Sequence, residues 1–330
     1  MKRPLTTLVV PAFNEADRLE AGFRRLTDAA RDGAIDLDDL VVTYVDDGST
    51  DATASVASEL IATLPHGKVL VQDANRGKGA AIRAGVAAAT TELVAFTDAD
   101  MAIDPRQMPS LIKALSDAPV AVGSRAIRGH IDYGSWARTV AGRSFNRLVR
   151  LVSAVELRDT QCGWKGARTA HAKVLFHLTT INGFAFDVEF LARARLLGWG
   201  VTEVPVSWSD VTGSHVRLAR DSVTMLADLV RARLVSASLP PLVGLRITAD
   251  TSMTTIAAAC EGTTLEAAPV VIDTSGSPCV LATLTDLESG RRSLEVLAGR
   301  IGGAIDTVRT EEVRSAAMLK PALTMRPAKD

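Results

Sequence analysis

Short apolar runs alternate with helical patterns over the first 123 residues of the chain. Between the runs, apolar residues recur at three- and four-residue spacing, as in Leu19, Phe23 and Leu26. This alternation predicts an α/β fold built from βαβ units, with a mostly parallel central sheet flanked by helices. The five predicted strands are Leu5–Val10, Leu40–Val45, Val69–Val71, Leu93–Thr97 and Val120–Val122.

The pattern continues to about residue 238 and then changes. After Gly123 it predicts four helices and one strand, at Arg138–Leu151, His171–Leu178, Asp187–Leu197, Leu218–Val235 and Val201–Val206. The break at Leu239-Pro-Pro241 and the length of 330 residues predict two domains, residues 1–238 and 239–330. We expect the second to be a small α+β domain, with strands Leu245–Thr248, Pro269–Ile272 and Val280–Leu284 and a helix Arg291–Ile305.

The composition excludes several classes of protein. Lys plus Arg number 37 and Asp plus Glu 38, a balance that gives no indication of nucleic-acid binding. The three cysteines lack any C-x-x-C spacing, so we expect neither a disulfide framework nor a zinc site, and a cytoplasmic location fits best. The sequence shows no signal peptide and no run of about 20 apolar residues, so any membrane contact is expected to be peripheral.

Polar clusters follow four of the predicted strands. They are Pro11–Glu15, Asp46–Asp51, Asn75–Gly79 and Asp98–Asp100. Because open α/β sheets bind ligands at the carboxyl ends of their strands, the four clusters predict one site.

The acidic pair Asp98 and Asp100 directly follows a buried apolar strand, with one small residue between the two carboxylates. Such a motif is by itself more often a solvated turn, but its position after the strand favours a metal site. Hard oxygen ligands at this spacing suit Mg²⁺ or Mn²⁺ held partly by substrate phosphates. The cation would offset charge developing on a departing nucleoside diphosphate.

Two other clusters have both a functional and a structural interpretation. Asp46–Asp51 predicts a capped turn between strand and helix, and its first carboxylate could also accept a hydrogen bond from a uracil or guanine N–H. The segment Arg76-Gly-Lys-Gly79 is either an ordinary surface turn or a helix start where free amides and Lys78 approach a diphosphate.

Seven motifs in the chain, in this order, carry a resemblance to a known family. They are Val-Val-Pro-Ala-Phe-Asn-Glu15, Val-Asp-Asp-Gly-Ser-Thr-Asp51, Arg-Gly-Lys-Gly79, Asp-Ala-Asp100, Gly-Ser-Arg125, Asp-Thr-Gln-Cys-Gly-Trp-Lys165 and Phe-Asp-Val-Glu-Phe190. Over residues 5–235 the chain resembles family 2 glycosyltransferases, and within them the dolichyl-phosphate β-glucosyltransferase and polyprenyl-phosphate glycosyltransferase branch. Seven ordered motifs make coincidence improbable.

This resemblance implies a GT-A fold, a nucleotide-sugar donor and a set of site residues. The implied catalytic residues are Asp159, Arg125 and Asp100, and the implied metal ligands are Asp98 and Asp100. The implied nucleotide-sugar site comprises Pro11, Phe13, Asn14, Glu15, Tyr44, Asp46, Asp47, Lys78, Asp98, Ala99 and Asp100.

The acceptor implied by the resemblance is a polyprenyl phosphate. The residues expected at its phosphate are Arg138, Arg143, Lys165, His215 and Arg217. The basic cluster Trp136, Arg138, Arg143 and Arg147 either meets the bilayer surface or is simply an exposed helix face. Several relatives carry carboxyl-terminal spanning helices, whereas the segment from about Pro240 has the composition of a soluble domain, which could also mediate a homodimer.

Two departures from the family pattern affect specificity. Met101-Ala102 stands where the mannosyl branch has Leu-Gln, which favours UDP-glucose over GDP-mannose. Gly213-Ser-His215 stands where relatives have Gly-Ser-Lys, and a histidine is only partly protonated near neutral pH.

Three functions are consistent with the sequence. An inverting transfer to a polyprenyl phosphate needs no strong base, because a phosphate monoester is already anionic at neutral pH. Transfer to a hydroxyl needs one, and the candidates are Asp159, Asp187 and Glu189, of which the last two do not share a helix face. A non-catalytic nucleotide-sugar-binding scaffold is the third, and the intact Asp98, Asp100 and Arg125 argue against it.

Overall fold

A seven-stranded sheet organises the amino-terminal part of the chain. The computed structural model describes residues 6–127, 157–160, 162–208, 242–246, 270–272, 278–282, 294–295, 298–300 and 303–308. The strands are β1 (Thr6–Ala12), β2 (Leu40–Asp46), β3 (Gly67–Val71), β4 (Leu93–Phe96), β5 (Val120–Ser124), β6 (Lys165–Arg168) and β7 (Val201–Pro205). Their order is β3-β2-β1-β4-β6-β5-β7, and every neighbouring pair is parallel except those that involve β6.

Helices cover both faces of this sheet, so the predicted layered α/β architecture is confirmed. They are α1 (Ala16–Arg31), α2 (Thr53–Ile61), α3 (Lys78–Ala87), α4 (Met108–Asp117), α5 (Thr169–Leu178) and α6 (Phe186–Leu196). Leu19 of α1 and Leu111 of α4 belong to one core cluster, and Ile82 of α3 and Phe190 of α6 belong to the other. All seven residues of β1 are buried, as expected for a central parallel strand.

Strand β6 was not among the predicted elements. Its sequence, Lys-Gly-Ala-Arg, lacks the apolar alternation of a strand. It is held by antiparallel pairing with both β4 and β5, and its lysine is buried. The strand is therefore specified by its neighbours in the sheet rather than by its own sequence.

A second, four-stranded sheet lies in the carboxyl-terminal part. It consists of β8 (Leu242–Arg246), β9 (Val270–Ile272), β10 (Pro278–Ala282) and β11 (Ala304–Val308), in the antiparallel order β11-β8-β10-β9. The predicted helix Arg291–Ile305 is wrong at its end, since Ala304 and Ile305 belong to β11. Gly303, with φ of +119°, precedes this β-branched segment and favours a chain reversal over a continuing helix.

Two of the predicted helices, Arg138–Leu151 and Leu218–Val235, lie outside the described residues. Within the described ranges, no helix has the length and apolar character needed to cross a bilayer.

Candidate active site

The polar clusters meet at the carboxyl edge of the large sheet, as predicted. Parallel strands β1, β2, β4 and β5 end at this edge, whereas the antiparallel β6 begins there. The loop that precedes β6 therefore joins the loops that follow the other four strands. Residues from Phe13 to Lys165, distant in sequence, form one site by this arrangement.

The loop after β1 is connected to the turn after β2. Asn14 has φ of +53°, and its side-chain Oδ1 accepts a hydrogen bond of 2.9 Å from the amide of Thr50. The amide of Glu15 donates to Thr53 Oγ1 at 2.9 Å, and Asp46 accepts from the amide of Ser49. Asp46 therefore serves as the turn cap, and Phe13 stands 41% exposed beside this turn.

Tyr44 does not line this loop surface. Its side chain is fully buried in the core that includes Leu19 and Ala57, and burial raises the pKa of its phenol well above the ordinary value. Pro11 is buried in β1. Helices cover both faces of the sheet and bury these two side chains, so their predicted contact with a nucleoside does not fit the structure.

The backbone amides of Arg76, Gly77 and Gly79 donate hydrogen bonds to other parts of the protein. Asp47 accepts from the amides of Arg76 and Gly77 at 2.9 and 2.7 Å. The Asn182 carbonyl accepts from the amide of Gly79 at 2.7 Å and from that of Ala80. The prediction of free amides for a diphosphate is therefore wrong at Arg76, Gly77 and Gly79, and the side chain of Lys78 extends to Asp98.

Lys78 forms an ion pair with Asp98 at the end of β4. Partial burial opposes the charge on Asp98, but Lys78, Lys165 and Arg125 outweigh it and lower the pKa of this carboxyl. Burial likewise opposes the charge on Lys78, and Asp98 and Asp187 raise its pKa. Asp98 is thus ionised at neutral pH among three cations, while 43% of its side chain stays exposed.

Asp100 contacts a residue that the sequence did not indicate. Its Oδ2 accepts from Arg18 at 2.6 Å, and its Oδ1 accepts from the amide of Ala102 at 3.1 Å. Arg18 also donates to both carboxylate oxygens of Glu15, at 2.9 and 2.8 Å. Ala99 between the two acidic residues is buried. The only sequence signal for Arg18 was its three-residue spacing from Glu15, the residue that precedes α1.

Arg125, just after β5, forms a bidentate pair with the buried Asp159. The distances are 2.7 Å from Nε to Oδ2 and 3.0 Å from Nη2 to Oδ1, and the Arg125 amide adds a third bond of 3.1 Å. Burial opposes the charge of Asp159, but the hydrogen bonds and charge of Arg125 keep its pKa below the ordinary value. Asp159 therefore orients Arg125 and is a poor proton acceptor at neutral pH.

Lys165 is fully buried, with its Nζ 2.9 Å from Asp187 Oδ1 and hydrogen-bonded to the Cys162 carbonyl. The predicted contact of Lys165 with an acceptor phosphate does not fit this burial, because pairing inside the protein occupies its charge. Burial raises the pKa of Asp187, although Lys165 and Lys78 oppose the shift.

The carboxylate of Glu189 is used in hydrogen bonds within the protein. Of the two acidic residues of α6, Asp187 is the one that lies near Lys78 and Asp98. Glu189 Oε2 accepts from the amides of Thr180 and Ile181 at 2.9 and 2.8 Å, and Glu189 Oε1 accepts from Arg193 at 3.1 Å. Glu189 thereby holds the loop of residues 180–182 in place. The Asn182 carbonyl of this loop accepts hydrogen bonds from the amides of Gly79 and Ala80 in α3.

The loop that follows β4, residues 98–102, is called the acidic loop below, and its carboxylates fit a divalent cation that substrate phosphates help to hold. Within the described residues, no group of three or more His, Cys, Asp or Glu could hold a metal ion. The protein would then supply two hard carboxylates, Asp98 and Asp100, and substrate phosphates and water would supply the rest, as Mg²⁺ commonly requires. The partly exposed Asp98 carboxylate is consistent with that donor set.

Two further residues at the site escaped the sequence analysis. Phe184 is 49% exposed, and the centre of its ring lies 5.9 Å from Lys78 Nζ. Gly163 lies directly against the Asp98 carboxylate. The predicted acceptor residues Arg138, Arg143, His215 and Arg217 lie outside the described residues.

Gly163 provides a test of how tightly the Asp98 carboxylate is enclosed. A Cβ added at Gly163 would collide with Asp98 Oδ2, whereas one added at Gly200 would meet nothing closer than 3.9 Å. We expect Gly163→Ala to weaken the binding of Mn²⁺ by Asp98 about tenfold, because the added methyl group displaces the carboxylate. Calorimetric titration checks this result, with Gly200→Ala as the control. Equal affinity in both variants would contradict the enclosure.

The chain has the GT-A fold. Its structure is similar to glucosyl-3-phosphoglycerate synthase from Mycobacterium tuberculosis in complex with UDP, with a TM-score of 0.53, 18% identity, and coverage of 72% of this chain and 81% of that one. The same enzyme with Mn²⁺, UDP-glucose and phosphoglyceric acid gives a TM-score of 0.52 at 18% identity, with the same coverage of 72% and 81%. At this identity, the likeness establishes the fold alone.

The chain belongs to glycosyl transferase family 2, whose sequence profile matches residues 7–176. It is 30% identical to glycosyltransferase AglD of Haloferax volcanii over 68% of this chain, and spans only 36% of that protein. It is 32% identical to a dolichyl-phosphate beta-glucosyltransferase of Trichomonas vaginalis over 68% of this chain and 70% of the relative. The expected family is thereby confirmed.

Proposed function

We propose that the chain is an inverting glycosyltransferase that moves glucose from UDP-glucose to a polyprenyl phosphate with the help of Mg²⁺ or Mn²⁺. The observation that carries this proposal is the concentration of charge at the carboxyl edge, where Asp98 lies among Lys78, Lys165 and Arg125. The names of relatives such as the Trichomonas vaginalis dolichyl-phosphate beta-glucosyltransferase support the same acceptor class.

The residues of the site have distinct functions in this proposal. Asp98 and Asp100 would hold the cation, which when bound supplies electrostatic stabilisation of the leaving diphosphate. Lys78, which pairs with Asp98, would approach the same diphosphate. Asp159 fixes the orientation of the Arg125 guanidinium. Arg125 would therefore align phosphate groups without first having to change its side-chain conformation.

The polyprenyl-phosphate acceptor agrees with the low pKa of Asp159. A phosphate monoester already carries negative charge at neutral pH, so its oxygen attacks without giving up a proton to the protein. Displacement from the face opposite the diphosphate inverts an α-linked donor to a β-linked product. An ionised Asp159 that only orients Arg125 is sufficient for this chemistry.

Transfer to a hydroxyl is the second candidate, and one observation favours it. Asp187 lies close enough to Lys78 and Asp98 to influence both, and burial raises its pKa, as suits a general base. A bell-shaped pH dependence of transfer to a soluble hydroxyl acceptor would support this route over the first.

A thermal-shift screen of UDP-, GDP- and dTDP-sugars, each with and without Mn²⁺, tests the donor. We expect UDP-glucose with Mn²⁺ to raise the melting temperature most, because a ligand at 100 times its Kd adds about 2.7 kcal/mol of apparent stability. Preference for a GDP-sugar would contradict the donor assignment. Binding of UDP-glucose without hydrolysis or transfer would instead indicate a nucleotide-sugar-binding scaffold.

The domain division and the cellular setting are further parts of the proposal. Residues 1–238 would form the catalytic domain, and residues 239–330 an accessory domain that could mediate a homodimer. The antiparallel sheet β8–β11 supports a separate carboxyl-terminal unit. The enzyme would act at the cytoplasmic face of a membrane, where the basic residues Arg138 and Arg143 could meet a lipid acceptor.

A further inference from the structure

One face of α1 lies along the acidic loop. Arg18, Gly22 and Arg25 share this face because they are four and three residues apart. Arg18 donates to Asp100 at 2.6 Å, and Arg25 donates to the Met101 carbonyl at 3.0 Å. The three residues of this face therefore contact three consecutive residues of the loop.

Gly22 allows the close approach that these contacts need. A Cβ at this position would collide with the Ala99 carbonyl oxygen. Met101 has φ of +46°, a conformation that costs free energy in a non-glycine residue and persists only where its surroundings hold it. The acidic loop is thus held against the helix in a strained shape.

Arg18 joins two parts of the site through one guanidinium. Its Nη1 donates to both oxygens of Glu15, in the loop after β1, and its Nη2 donates to Asp100, in the loop after β4. Its buried Nε has no hydrogen-bond partner in the described part of the chain. The side chains of Arg18, Glu15 and Asp100 are 18–21% exposed, so solvent screens this ion pairing less than it would at the surface.

We propose that Arg18 is a positioning residue that fixes the orientation of Asp100 and Glu15 and whose charge competes with a divalent cation for Asp100. The inference rests on the proposed metal function of the acidic pair. A planar guanidinium can bridge two carboxylates, whereas an ammonium acts as a single point charge. Charge and geometry at this position can therefore be separated by substitution.

The two effects predict opposite changes in the variant Arg18→Gln. Loss of the positive charge makes the loop more negative, and we expect Mn²⁺ to bind about tenfold more tightly in the presence of UDP. Loss of the bridge leaves Asp100 less well oriented, and we expect kcat to fall about tenfold or more. Arg18→Lys keeps the charge without the bridge, so Mn²⁺ affinity should stay near the wild-type value while kcat stays low.

The experiment measures the Mn²⁺ dissociation constant by calorimetry in the presence of saturating UDP, together with kcat and KM for UDP-glucose. Arg31→Gln is the matched control, since Arg31 lies on the same helix in an exposed pair with Asp28. We expect this control to match wild type in both measurements. Thermal unfolding of each variant verifies that the fold is retained.

Each outcome decides the inference. Unchanged Mn²⁺ affinity in Arg18→Gln, with Mn²⁺ bound by the wild type, overturns the inference and leaves the proposed function intact. Full recovery of kcat in Arg18→Lys also overturns it, because charge alone would then be sufficient. A wild-type protein that binds no Mn²⁺, with or without UDP-glucose, rejects the metal function and the inference together.

Discussion

Replacing Asp100 with asparagine is expected to reduce hexose transfer by roughly 10²–10³-fold, the loss typical of removing a preorganised electrostatic group. The substitution keeps the shape of the side chain, so the amide of Ala102, 3.1 Å from Asp100 Oδ1, can still find an acceptor. The fold should therefore be retained while the negative charge available to a cation is lost. Transfer from UDP-glucose with Mn²⁺ is the measurement, with thermal unfolding alongside.

The acidic loop offers a matched control four residues further along the chain. Asp104 caps a short 3-10 helix by accepting from the amide of Arg106, and asparagine is an equally good cap. Asp104→Asn should therefore have wild-type activity. Full activity in Asp100→Asn would reject the metal function of this carboxylate.

The second large effect is expected at the pair Arg125–Asp159. Asp159 is 1% exposed and its carboxylate receives three hydrogen bonds from Arg125. Asp159→Asn removes the charge from a buried pair, which typically costs about 3–5 kcal/mol of unfolding free energy. Transfer should fall as well, because Arg125 loses the partner that orients it. Denaturant unfolding and transfer assays give the two values.

An exposed pair provides the comparison for this loss. The side chains of Arg31 and Asp28 are 74% and 38% exposed, so Asp28→Asn should change stability by less than about 1 kcal/mol. If Asp159→Asn lowered the free energy of unfolding as little as Asp28→Asn, the Arg125–Asp159 pair would not stabilise the folded protein.

The Arg125–Asp159 pair also predicts a dependence of stability on pH. The pKa of Asp159 is lower in the folded protein than in the unfolded chain. Its contribution is therefore fully present above the unfolded value of about 3.9 and is lost as the pH falls through the folded pKa. The acid sensitivity of the wild type should thus be partly absent in Asp159→Asn.

The sequence predicts local features of this protein well. Strands β1, β2, β4 and β5 are apolar runs of sufficient length, and the stripe Leu19, Phe23 and Leu26 is buried on α1. Each depends on periodicity within a few residues, which a sequence displays directly. The polar ends of these strands meet because a parallel sheet aligns its carboxyl ends, which is a property of the fold class.

Features that depend on distant partners were not predictable. β6 has no strand-like sequence and exists through pairing with β4 and β5. The predicted roles of Tyr44 and Lys165 were assigned from their motif positions, but burial depends on which face of the sheet receives each side chain. Likewise, the link from Arg18 to Asp100 spans 82 residues and leaves no local signature.

The Arg125–Asp159 pair joins two points that are 34 residues apart in the chain. Arg125 directly follows β5 and Asp159 lies in the loop before β6, so one pair ties both loops to the carboxyl edge of the sheet. A change at either residue is therefore expected to affect both loops at once, although neither loop is altered in length.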